Sequence, residues 1–206
     1  TASIELEPLL EKLFEEMRQG KVPQAIQLDI LEAVQKRAEA NANLMKQLQD
    51  YQKDLKQKSL LEQYQVSLKG GDVKAGKSIF LSHPQAQCSK CHAIKKEDQQ
   101  VGPSLEGLSE RHNIDYLLES IVDPQAKIAP GYGFSQIELQ DGTVLAGTLM
   151  EEHAQHTKLK LPDSSIQLIP QEDIKKQSEP IGMMPDLKNV LNKRQIRDLV
   201  AFLATL

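Results

Sequence analysis

Tryptophan is absent from this chain of 206 residues and aromatics make up only 4% of it, too few flat side chains for an aromatic-lined platform that stacks nucleic acid or carbohydrate. Positive charge is also in short supply. The formal charge is -4, whereas broad phosphate binding needs a net basic face, so DNA and RNA are set aside as leading partners. Long apolar runs are missing: the longest, Leu199 to Leu206, falls far short of the roughly 20 residues that cross a bilayer. There is no initiator Met and no basic-then-apolar leader, and the start at Thr1 reads as a processed one, with any export signal or upstream protein out of view. With 11 Gly and 10 Pro the chain is not collagen-like, and a 39% hydrophobic share can bury a core. The length fits one domain with insertions or two smaller units, and two units is the working expectation.

Cysteine is nearly absent as well, and both residues fall in one motif, Cys88-Ser89-Lys90-Cys91-His92. C-x-x-C-H is the attachment signature of a c-type haem. On a short helical turn, residues three apart share a face, so both thiols can reach the vinyl groups of one porphyrin while the next residue turns its imidazole to the iron. Three rivals stand beside one covalent haem c on Cys88 and Cys91. A structural zinc site wants four ligands, and no second Cys pair exists. A thioredoxin-type pair sits at a strand-to-helix junction, whereas Pro84-Gln85-Ala86-Gln87 reads as loop. A chance motif is the third.

Haem iron needs a second axial ligand or an open position. The Ile181-Gly182-Met183-Met184-Pro185 stretch is the best source, since a thioether is a soft, neutral ligand that raises the reduction potential. Gly182 lets backbone approach closely and Pro185 stiffens the loop. His83, His112, His153 and His156 read as exposed loop residues, with His153 and His156 the only serious substitutes for the Met.

Together these residues resemble class I cytochromes c. Gly76-Lys77-Ser78-Ile79-Phe80 corresponds to that family's Gly-containing first helix and Gly102-Pro103-Ser104-Leu105 to the loop after the motif. Asn192 to Leu206 corresponds to its closing helix, with Leu199, Phe202 and Leu203 inward. The resemblance implies His92 as proximal ligand, the Pro103 carbonyl as acceptor of its other ring proton, and Met184, directly before Pro185, as distal ligand in place of Met183. Iron is then held by His92 and Met184, and the haem pocket includes Cys88, Cys91, Gly102, Pro103, Leu105 and Pro185.

The chain departs from the compact pattern by an insertion. Some 92 residues separate His92 from Met184, and the excess reads as a small antiparallel sheet at about 132–170. Phe134, Ile137 and Leu139 lead into Asp141-Gly142, followed by Val144, Leu145 and Leu149; Asp-Gly between such runs is a strong hairpin signal. Thr157 to Leu161, a turn at Pro162-Asp163-Ser164-Ser165 and Ile166 to Ile169 form a second hairpin, which Pro170 stops.

Residues 1–69 read as helical. Leu6, Leu9, Leu10, Leu13, Phe14 and Met17 make one amphipathic stripe ended by Gly20. Pro23 opens a second helix burying Ile26, Ile30, Leu31 and Val34, so the pair looks like an antiparallel hairpin from the end of a repeat array. A third helix from about Asn43, with Leu44, Leu48, Tyr51 and Leu55, reads as a solvated strut in preference to a coiled-coil seam. Lys69-Gly70-Gly71-Asp72 marks the expected junction with a cytochrome domain at 70–206. The fold class expected is therefore mainly α: a class I cytochrome c fold with a small β insertion, preceded by a helical hairpin or bundle.

A narrower resemblance covers about residues 70–206. The run Leu117 to Pro124, then Pro130-Gly131-Tyr132, Asp141-Gly142-Thr143 with Gly147 beyond, and Met184-Pro185 is similar to the C-terminal haem-binding domain of large bacterial membrane-associated dehydrogenases, where it follows a propeller resembling sugar dehydrogenases. It implies a non-enzymatic electron carrier that accepts from a dehydrogenase domain or partner and passes electrons to a downstream carrier, in the periplasm or another extracytoplasmic space. The alternative is a haem enzyme or gas sensor with a displaceable distal ligand; a single attachment motif and the lack of an Arg/His pair near the Met loop count against it. A weaker alternative makes residues 1–69 a docking surface with the haem as passenger. Lys90, Lys95 and Lys96 either form a local basic rim for docking or are simply solvated.

Overall fold

The computed structural model describes residues 2–95 and 101–206, with side chains described from residue 6 onward. Lys96 lies outside the described residues. The chain opens with α1 (Ala2–Arg18), α2 (Gln24–Arg37) and α3 (Ala42–Leu55), packed around Phe14, Leu28, Val34 and Leu44. Asn41 starts α3 by accepting from the Asn43 and Leu44 amides, a side-chain cap that satisfies donors the helix leaves over. Three expectations change here. Leu6 and Leu9 are exposed and the buried stripe of α1 begins at Leu10. Ile26 is exposed while Leu28 is buried, because α2 also receives Gln65–Ser67 and the last helix and is covered on two sides. Finally, α3 is no solvated strut: Leu44 and Leu48 are buried and Tyr51 meets Phe14 edge-on at 5.5 Å between ring centres.

A second core belongs to α4 (Leu60–Gln63), α5 (Val73–Ser82), α6 (Leu108–Arg111), α7 (Ile114–Val122) and α8 (Lys193–Leu203). Asn192 and Gln195 form a reciprocal capping box that starts α8, and Asp72 caps α5. The two helices cross where Gly76 meets α8. A methyl group at Gly76 would overlap the Asp198 carbonyl and crowd Phe202, so this face of α5 must be bare for the backbones to meet. Beside the crossing, Phe80 and Phe202 pack with ring centres 5.6 Å apart, and Asp198 accepts the Asp72 amide at 2.8 Å.

Between α7 and α8 the chain forms a sheet larger than expected. Its strands are β1 (Gly133–Leu139), β2 (Val144–Glu152), β3 (His156–Lys160), β4 (Ile166–Pro170), β5 (Ile174–Gln177) and β6 (Ile181–Gly182). The order is β4-β3-β2-β1-β5, all antiparallel, with β6 pairing the start of β1. Both predicted hairpins form. Beyond Pro170, however, β5 and β6 extend the sheet to six strands, and "mainly α with a small insertion" gives way to helical cores plus a substantial antiparallel sheet. Lys175-Lys176 and Pro180 hide these two short strands from any reading of alternation. The sheet has its own small core of Ile137, Leu159 and Ile169.

The N-terminal helices are riveted to α8 by charge. Arg197, 4% exposed, donates to Asp29 at 2.9 Å, and Arg194 reaches both Asp29 and Glu32. The Arg197 hydrogen bond, assisted by Arg194, holds the Asp29 carboxyl below its ordinary range. A depressed carboxylate pKa stabilises the fold above the unfolded value, about 3.9, and that contribution disappears as pH falls through the lower folded value. Urea midpoints should therefore drop between neutral pH and about pH 3, and Asp29→Asn should be less stable at neutral pH with a shallower acid dependence. Gly76→Ala should cost about 1–3 kcal/mol by forcing α5 off α8, read as a lower guanidinium midpoint.

Candidate functional site

The segment after α5 turns sharply. Gln87 takes a left-handed conformation with φ 47°, and Cys88–Lys90 make one 3-10 turn in which the Cys91 and His92 amides both donate to the Cys88 carbonyl, at 3.1 and 2.9 Å. Ser89 Oγ ties the turn back to α5 through the Leu81 carbonyl at 3.2 Å. Cys88 packs half-buried against the helical core while Cys91 is exposed. Burial pushes the Cys88 thiol up from its ordinary value.

A second loop frames the motif. The Gly102 amide donates to the Cys91 carbonyl at 2.6 Å and the Leu105 amide to the Ala93 carbonyl at 2.8 Å, while the Leu105 side chain is buried in the helical core. Gly102 has to be glycine: a Cβ there would stand 2.9 Å from the Cys91 carbonyl oxygen and 3.0 Å from Cε1 of His92. This close approach brings the Pro103 carbonyl 3.0 Å from His92 Nδ1. A carbonyl can only accept, so Nδ1 carries a proton, and in the neutral imidazole Nε2 then keeps its lone pair free for a metal.

The methionine loop approaches along another route. The Ile181–Gly182 strand pairs with Gly133 and Phe134, and the Gln125 side chain clamps Gly182 by accepting its amide at 2.9 Å and donating to its carbonyl at 3.1 Å. Beyond this clamp the two methionines separate. Met183 is 79% exposed, whereas Met184 is half-buried against the core that also receives Cys88; Pro185 is exposed. Sequence reasoning missed Gln125, whose contact with Gly182 holds the strand before the methionines, and a polar residue in a turn carries no signal that would have found it.

The other histidines have different surroundings. His83 accepts the Ala86 amide at 3.2 Å, and His112 stacks on Tyr116 at 3.8 Å. His153 and His156 stand together at the β2–β3 turn beside Glu151. Among the described residues, Cys88, Cys91 and His92 do not converge with other ligands into a metal cluster. Nor does a strand lead into the motif, as a thioredoxin-type pair requires.

No protein-family model matches the chain. It is similar to cytochrome c2 of Rhodopila globiformis, with 27% identity over 118 residues that cover 57% of this chain and 95% of that protein. It is also 34% identical over 77 residues to a cytochrome c-553-like protein of Synechocystis sp., covering 37% of this chain and 69% of that protein. The chain belongs to the cytochrome c family. Its donor set fits the family's prosthetic group: two thiols spaced C-x-x-C, the only cysteines in the sequence, match one covalent haem c, and the adjacent imidazole is in the tautomer that can ligate iron. No helix among the described residues of this cytochrome is long and apolar enough to cross a membrane.

Gly102→Ala should push the His92 ring off Pro103. The ring Nδ1 proton of His92 is expected as a slowly exchanging signal in nitrogen-edited NMR of the parent protein, and as broadened or absent in the variant.

Proposed function

We propose that this cytochrome is a single-haem electron carrier, with no substrate of its own, that takes electrons from a dehydrogenase domain or partner and passes them to a downstream carrier. The observation that carries this reading is the hydrogen bond from His92 Nδ1 to the Pro103 carbonyl at 3.0 Å. It orients the half-buried ring and leaves Nε2 as the donor that would ligate the iron, next to two attachment thiols. When bound, haem c supplies a one-electron iron couple.

Every other requirement falls on the chain. Cys88 and Cys91 would hold the group covalently, and His92 would ligate its iron through Nε2. Met184, a half-buried thioether, would be the second ligand, and a His/Met pair would favour the high potential of an acceptor. Leu105 and the helical core exclude water from one side, and no side chain is asked to act as acid or base. Gly102, Pro103 and Pro185 shape the loops on either side. Lys90 and Lys95 are exposed close to the motif and offer a local positive rim to an acidic redox partner. Covalent haem attachment needs an exported apoprotein with reduced thiols, so the compartment is periplasmic or otherwise extracytoplasmic. The domain division takes 70–206 as the cytochrome unit and 1–69 as a helical unit fastened to it, with Leu60, Leu61, Tyr64 and Leu68 at the end of the helical unit packing into the cytochrome core.

Optical spectra decide the matter. The purified protein should be low-spin, with a ferric charge-transfer band of the Met-ligated type and no response to carbon monoxide when reduced. Met184→Ala should abolish that band and admit carbon monoxide stoichiometrically, and Met183→Ala should do neither. A high-spin parent protein that binds carbon monoxide readily would point to an open sixth position and to a haem enzyme or gas sensor.

A further inference from the structure

The turn that joins β2 to β3 gathers three ligating side chains away from the cysteine motif. His153 and His156 sit at its two ends, their ring centres 5.0 Å apart, and Glu151 lies one residue before β2 ends. The donor atoms of all three come within 4.8 Å of one another. His153 Nε2 is 3.5 Å from Glu151 Oε2, close to the spacing of about 3.4 Å between two donors on a tetrahedral ion.

Backbone geometry builds this cluster. The β2–β3 register slips by one residue between Leu149 and Glu151, so Glu151 opposes Lys158. Without that bulge Glu151 would oppose Thr157, which is buried, and its carboxylate would point to the other face of the sheet. With the bulge it shares a face with Lys158 and, two residues away on the same strand, His156. The turn itself is braced. The His153 amide donates to the His156 carbonyl at 2.9 Å and the Gln171 amide to Gln155 at 3.0 Å, while Gln171 Nε2 donates to the His153 carbonyl and Thr157 Oγ1, each at 3.1 Å. The two imidazoles are therefore carried on a fixed hairpin end.

We propose that Glu151, His153 and His156 form a surface site for one divalent transition-metal ion of the zinc or copper(II) class, with water completing the coordination. Two imidazole nitrogens and one carboxylate oxygen are the ligand set such ions take, and calcium or magnesium would want oxygen alone. In the ion-free protein Lys158 supplies the cation, its Nζ 3.5 Å from Glu151 Oε1, and a metal ion would have to displace it. The site is independent of the electron-carrier reading.

Calorimetric titration of the tag-free full chain with Zn²⁺ in a weakly coordinating buffer tests the site, together with electron paramagnetic resonance of the Cu²⁺ complex. One equivalent should bind, and the copper signal should show coupling to two imidazole nitrogens. His153→Ala, His156→Ala and Glu151→Gln should each weaken binding at least about tenfold, and Lys158→Met should tighten it several-fold. All four positions are exposed or half-buried, and unchanged thermal melting of the variants excludes misfolding as the cause. Absence of saturable binding overturns the proposal. So does stoichiometric binding that both His variants retain, which would place the ion away from the β2–β3 turn.

Discussion

Where α5 crosses α8, the bare face of Gly76 lets two backbones come into contact, and the Phe80–Phe202 pair fills the space beside them. α8 buries a broad side, through Ile196, Arg197, Leu199, Val200, Phe202 and Leu203, because α5, α7 and the segment Gln65–Ser67 all pack on it, and it keeps Arg194 toward solvent. A helix held by three neighbours at once cannot turn without unpacking one of them, so its orientation is fixed by the sum of its neighbours. The chain on either side of the crossing carries the proposed site. α5 runs within six residues into the Cys88 turn, and Asn192 starts α8 eight residues after Met184. Fixing the crossing therefore fixes both approaches to the proposed haem pocket.

The loops at those approaches are held by backbone hydrogen bonds more than by side-chain packing. Gly102 and Leu105 bind back to Cys91 and Ala93, and this short ladder is what presents the Pro103 carbonyl to His92. On the methionine side, Gly182 is held by β1 on one edge and by the Gln125 amide on the other. The sheet thus has a structural purpose that the helical family pattern lacks: its first strand anchors the entry to the Met184 loop.

Charge does a different job. The chain is acidic overall, yet a buried arginine sits at the contact between α2 and α8, with its Nε unpaired and its Nη1 on Asp29. Leaving that guanidinium without a carboxylate would strand a charge away from water. The pair therefore helps to specify how the N-terminal helices meet the cytochrome core.

Much of this was legible in the sequence because it depends on local spacing. C-x-x-C-H, the Gly-Pro loop, the Asp-Gly hairpin, Asn192 before an apolar helix and the buried set Leu199, Phe202 and Leu203 all follow from residue type and period. Where the sequence reading failed, the cause was long-range. Ile26 and Leu28 exchange places because a helix 160 residues away covers part of α2. α3 is core because Phe14 meets Tyr51. β5 and β6 exist only because β1 offers them an edge. The strand that leads into the two methionines is held at Gly182 by Gln125, 57 residues earlier. Sequence by itself determined the chemistry available, since only those side chains can bind a haem or a metal. Tertiary structure decided which of them meet, because the energy that selects a partner comes from contacts between segments that no local pattern encodes.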